Sequence, residues 1–166
     1  MGPSERASVL REVASGFVSA GQQEAARAAL EKASSAAEQI QDLWFRSFAL
    51  REVASGFVSA GQQEAARAAL EKANSTAELI KNPSERASVL REVASGFVSA
   101  GQQEAARAAF EKAISAAEQI KNPGERSFAL VAIARELVAA GQQEAARAAF
   151  EKAISAAEQI PSLTPD

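Results

Sequence analysis

The block REVASGFVSAGQQEAARAALEKA fills Arg11–Ala33 and recurs unchanged at Arg51–Ala73, 40 residues further on. It returns at Arg91–Ala113 with one difference, Phe110 for leucine, and in looser form at Val131–Ala153, where the second half is again GQQEAARAAFEKA. Four copies nearly fill the chain. A period of this length belongs to a stacked array, in which each unit buries its apolar face against its neighbours, and not to a globular domain wrapped around one site. The identity extends to surface-type residues such as Gln22, Gln23 and Glu24, where substitutions cost little and drift blurs first. Very recent duplication or deliberate engineering is the expected origin.

Each repeat reads as two antiparallel helices, A and B. In the third copy, Asn82-Pro83-Ser84-Glu85 is a helix start: Asn82 caps, Pro83 fits the first helical position, and Glu85 can reach back. Val89, Leu90, Val93, Ala94 and Phe97 then recur at three- and four-residue steps, which predicts helix A to about Ala100. Gly101 supplies a left-handed terminator. Helix B is predicted from about Gln102 to Ile120, with Ala106, Phe110, Ala113, Ala117 and Ile120 as its inward seam. Glu104, Arg107 and Glu111 fall on the opposite face, at ion-pair spacing. Lys121-Asn122-Pro123 stops it and opens the next repeat. Phe17, Phe57, Phe97 and Leu137 should form one buried ladder and Ile40, Ile80 and Ile120 another, with Ile160 partly open. The chain therefore divides into repeats of about 1–40, 41–80, 81–120 and 121–160, a single all-α array of eight helices, with 161–166 as a flexible tail.

The pattern resembles the tetratricopeptide repeat. Its sequence of a large residue, a Leu-small pair, an aromatic, a turn glycine, an alanine, an aromatic and a second alanine is matched in repeat one by Leu10, Val13-Ala14, Phe17, Gly21, Ala26, Leu30 and Ala33. Phe110 and Phe150 restore the second aromatic in the last two copies. Leu10, Leu50, Leu90 and Leu130 stand where the family often has tryptophan. Its closing proline comes earlier than Pro83 or Pro123, which predicts a longer helix B here. The resemblance implies an α-solenoid whose helices A line a concave face that binds extended peptides or partner helices. Carried over, that face comprises Arg11, Ser15, Val18 and Ser19, then Phe48, Arg51, Ser55, Val58 and Ser59, then Arg91, Ser95, Val98 and Ser99, and finally Phe128, Arg135 and Val138. A row of Arg11, Arg51 and Arg91 can hold a carboxylate through bidentate pairs. Alternatively these arginines are solvated or paired with Glu12, Glu52 and Glu92. The family's carboxylate clamp also uses asparagine, and serine stands there in this chain.

Repeat two is irregular. Leu43-Trp44-Phe45 replaces the Pro-Ser/Gly-Glu helix start of the other copies, and Asn74, Thr76 and Leu79 also depart from them. Asp42 can cap a new helix. No proline enforces a break there, so a helix continuous across Asp42-Leu43 is the rival expectation. Such a helix would let repeat one exchange between two copies, giving a self-assembled oligomer. One helix face cannot bury all of Leu43, Trp44 and Phe45, which marks them as a self-association or junction site.

Catalytic chemistry finds no support. There is no cysteine, histidine or tyrosine, which removes thiolate sites and the commonest general base and metal ligand. Ser15, Ser55 and Ser95 lack an activating base. Gly16–Gly21 has the outer spacing of a phosphate loop, but Gln22 stands where lysine is required and the segment ends a helix. Asn74-Ser75-Thr76 matches a glycosylation acceptor but falls mid-helix. Glu24 and Glu31 straddle Arg27 on a solvated face. Position 6 is arginine, against myristoylation of Gly2. Net charge is −3 with both signs interspersed, so no nucleic-acid or membrane footprint exists. The reading is a non-catalytic scaffold or interaction module without cofactor or metal. Its partner is a protein, a peptide or a second copy. With no signal peptide it should be soluble and cytoplasmic, or have no native location if engineered.

Overall fold

A computed structural model, describing residues 1–163, consists of eight α-helices and, among those residues, no strand. They are α1 Pro3–Ser19, α2 Gln23–Glu38, α3 Leu43–Ser59, α4 Gln63–Glu78, α5 Pro83–Ser99, α6 Gln103–Glu118, α7 Pro123–Ala139 and α8 Gln143–Glu158. The odd-numbered helices are helix A of each repeat and the even-numbered ones helix B.

The A-to-B turn is the same in all four copies. Gly21, Gly61, Gly101 and Gly141 have φ between 72° and 77°, a conformation that costs a Cβ-bearing residue strain. In repeat one the Gln22 amide donates to Phe17 O at 2.8 Å and the Gly21 amide to Val18 O at 3.0 Å. This pair of bonds satisfies the last carbonyls of helix A and turns the chain into helix B.

The B-to-A connection overturns two expectations. No helix runs through Asp42-Leu43: α2 stops at Glu38 and α3 begins at Leu43. Asp42 is extended, and its side chain accepts the Phe45 amide at 3.0 Å. It thus does for α3 what Asn82 and Asn122 do for α5 and α7. The Arg46 guanidinium closes the junction by donating to Ile40 O at 2.6 Å, as Arg86 and Arg126 do to Ile80 O and Ile120 O. A capped start and a capped finish replace the proline that the sequence lacks there. Helix B also stops short of its expected end at Ile120: in repeat three it spans Gln103–Glu118. It has 16 residues against 17 for helix A. The amides of Gln119 and Ile120 bond three residues back, to Ala116 O and Ala117 O, which tightens and ends the last turn.

Within a repeat the two helices form a hairpin, and each helix A also packs on the helices A and B of the preceding repeat. The helices A are thus packed on one another along one side of the array, the inner side, while the helices B stand apart on the outer side. One core runs through the array. Phe57, Phe97 and Leu137 are buried, as are Ile40, Ile80 and Ile120, whereas Ile160 is 46% exposed. Phe17 departs from its ladder. It is only half-buried, because α1 has no helices packed on the side where α3, α5 and α7 each receive a preceding repeat. Pro161–Leu163 are exposed and outside any helix. The rest of the expected tail, 164–166, lies outside the described residues.

Candidate interaction surface

The inner side carries the residues carried over from the concave face, but the arginine row is engaged. Arg11 pairs with Glu52, and Arg91 pairs with Glu136. Arg51 lies 3.5 Å from Glu92 and 3.8 Å from Glu52. Each guanidinium therefore reaches forward to a carboxylate of the next repeat. Ser95 donates to the same Glu136, while Ser15 and Ser55 are exposed. Repeat four shifts the pattern by one helical turn: Val131 and Ala132 stand where the others have Arg-Glu, and Arg135 and Glu136 follow. Arg135 is exposed and has no ion pair among the described residues. A second ladder runs along the outer side. Lys72 reaches Glu38 at 3.0 Å, Lys112 reaches Glu78 at 2.8 Å, and Lys152 pairs with Glu118.

The apolar part of the surface is concentrated at the start of α3. Leu43 is half-buried against the core. Trp44 and Phe45 are 40% and 54% exposed. Trp44 stacks on Phe48 with ring centroids 5.6 Å apart and planes 3° from parallel. That is the contact expected of aromatic residues one helical turn apart. Phe45 meets the Trp44 ring edge-on at 5.0 Å, and the Arg51 guanidinium lies 5.3 Å from the Phe48 centroid. Phe45 and Phe48 form one wall of a cleft of about 230 Å³ between α1 and α3, with Ser8 and Arg11 among the residues opposite. An equivalent cleft of about 340 Å³ between α5 and α7 has Phe128, Ser88 and Arg91. The two clefts reflect an alternation: RSFAL opens repeats two and four, and RASVL opens repeats one and three.

Leu79 is a further exposed apolar residue of repeat two. At the same position in the other repeats, Gln39, Gln119 and Gln159 accept hydrogen bonds from Arg6, Arg86 and Arg126. In repeat two the position facing the equivalent arginine, Arg46, is filled by a leucine that is 62% exposed. The 80-residue alternation and the forward register of the ion pairs were the features sequence reasoning did not find. The first was legible in the Phe48/Phe128 spacing. The second needed the packing of one repeat on the next.

Among the described residues no group of three or more acidic side chains is placed to hold a metal ion. No described helix is long and apolar enough to cross a membrane.

Repeat, turn and packing define the chain as a tetratricopeptide-like α-solenoid. The tetratricopeptide repeat family model matches residues 97–120 and 129–160. No curated protein sequence matches the chain. Among solved structures, aspartyl phosphate phosphatase F from Bacillus subtilis is similar over 96% of this chain and 42% of its own, with a TM-score of 0.50 and 19% identity. The chain thus spans less than half of that protein, and the likeness is one of fold. A putative kinesin light chain of Podosopora anserina with nearly identical tetratricopeptide-like repeats aligns over 96% of this chain and 98% of its own, at a TM-score of 0.39 and 18% identity. A second structure of those repeats gives the same TM-score at 17% identity, covering 94% of this chain and 96% of its own. Tetratricopeptide repeats generally mediate protein–protein interaction, and the fold is typically non-catalytic.

Proposed function

We propose that the chain is a non-catalytic interaction module that takes an apolar segment of a partner protein or peptide on the ledge formed by Trp44, Phe45 and Phe48, with exposed Leu79 as a further apolar residue of the same repeat. The carrying observation is internal comparison. Four repeats share one backbone, and in the second of them Ser or Gly becomes Trp44, Glu becomes Phe45 and Gln becomes Leu79 at exposed positions. None of these changes is needed for the fold, since the sibling repeats form the same helices without them. Exposed aromatic side chains that cluster in this way mark an interaction site. Phe128 offers a second apolar contact two repeats along the same face. Holding a carboxylate on Arg11, Arg51 and Arg91 would require breaking three inter-repeat ion pairs, so Arg135 is the better candidate for an anionic group on the partner. The near-identity of the repeats supports a recent or engineered origin.

The test restores the sibling residues. A Trp44→Ser/Phe45→Glu/Leu79→Gln variant and the parent chain are presented to the same array of short synthetic peptides, acidic, basic and apolar. The parent should retain a subset of the apolar peptides, and the variant should lose that subset while keeping its helix content. Equal binding by both proteins would refute the assignment.

A further inference from the structure

We propose that copies of this chain stack end to end, with α1 of one copy docking on the α7–α8 face of another and repeating the contact made between successive repeats. This inference is independent of the Trp44 ledge. It rests on comparing each position with its equivalents along the array.

The two faces are complementary halves of an interface seen three times inside the chain. On α1, Val13 is 45% exposed, whereas Val53, Val93 and Ile133 at the same position are 0–1% exposed. On the other face, Ile160 is 46% exposed against 3–6% for Ile40, Ile80 and Ile120. Ala157 is exposed where Ala37, Ala77 and Ala117 are completely buried. The positions of the closest inter-repeat contact also recur at the two ends. Gly56 and Gly96 let Leu30 and Leu70 approach so closely that a Cβ would lie 2.6 and 2.7 Å from a leucine methyl. Gly16 has the same notch with nothing in it, and half-buried Phe150 sits at the position of the side chain that fills it.

Charge follows the same logic. The outer ladder joins a lysine of one repeat to a glutamate of the repeat before it. Lys32 and Glu158 are the two members that it leaves without a partner among the described residues, one on each face. Docking α1 on α8 brings those two together. Among the described residues, Glu12 and Arg135 are likewise the carboxylate and guanidinium of the inner side without an ion pair. Since the two faces differ, the contact is heterologous and adds copies head to tail.

The test uses the 166-residue chain and two variants, each blocking one face at an exposed position. Val13→Arg blocks α1. Ile154→Arg, at a residue 59% exposed on α8, blocks the other face. Circular dichroism checks that both retain the parental helix content. In sedimentation or light scattering the parent should show a mass that rises with concentration, while each variant alone stays at the monomer mass. An equimolar mixture of the variants should form a 1:1 dimer and stop there, because each supplies one intact face. A parent that remains at 17.3 kDa up to its solubility limit would overturn the proposal. So would association of either variant alone, or a mixture that stays monomeric.

Discussion

Gly16, Gly56 and Gly96 hold the same place in three copies of one sequence, so a single substitution at each separates packing from propensity. In a helix interior, alanine is favoured over glycine by about 1 kcal/mol. At Gly16 no heavy atom outside the local helix lies within 4 Å of the new Cβ, and Gly16→Ala should stabilise the chain by about 0.5–1 kcal/mol. At Gly56 the new carbon would sit 2.6 Å from Leu30 Cδ2, and at Gly96 2.7 Å from Leu70 Cδ2. Overpacking of this kind costs about 1–3 kcal/mol. The obstructing atom is the far end of a flexible side chain, which places the cost in the lower part of that range. Gly56→Ala and Gly96→Ala should therefore lie between neutral and about 1 kcal/mol destabilising. Urea unfolding followed by circular dichroism, at a concentration where the chain is monomeric, reads the difference as a shift in midpoint at unchanged slope. Adding Leu30→Ala should remove the penalty at Gly56 and leave Gly16→Ala unaffected, a coupling that a double-mutant cycle isolates. If Gly56→Ala stabilised as much as Gly16→Ala, the close approach of α3 to Leu30 would be wrong, and with it the register of repeat on repeat.

Three further outcomes follow from the packing. Phe97→Ala should destabilise by about 3–5 kcal/mol, as deletion of a buried aromatic does, and Phe17→Ala by clearly less, since Phe17 is only half-buried; denaturant midpoints decide. Asp42→Ala should cost about 1 kcal/mol through loss of the α3 cap, while Asp42→Asn, the residue at the equivalent positions 82 and 122, should be near neutral. Leu79→Gln should restore an acceptor for Arg46 and raise stability by about 0.5 kcal/mol, which thermal melting would register as a small upward shift; a fall would mean that Leu79 packs on the fold.

Most of the architecture was legible because the sequence repeats. The three- and four-residue steps of Val89, Leu90, Val93 and Phe97 placed helix A, and Gly101 placed the turn. Where local chemistry is weaker, neighbouring repeats decide the structure. No proline stands at Asp42-Leu43 to force a break, yet an aspartate cap and the Arg46 bond to Ile40 O end one helix and begin the next. Identical local sequence makes Phe17 a rung equal to Phe57, but burial is set by the neighbouring repeat. The arginine row was visible as a pattern, yet its partners were not. A guanidinium on one repeat and a carboxylate on the next are 41 or 45 positions apart, and only the stacking angle tells which carboxylate is in reach.

The asymmetry between the two sides of the array has a mechanical consequence. Its inner joints are helices A pressed directly on one another, whereas its outer joints are bridged by exposed Lys–Glu pairs such as Lys72–Glu38 and Lys112–Glu78. Exposed pairs of this kind contribute about 0–1 kcal/mol each and are weakened by salt. The softest deformation expected is a spreading of the helices B, since the packing of each helix A on the helices of the preceding repeat does not depend on those pairs. Raising ionic strength should therefore act on the spacing of the helices B before it acts on stability.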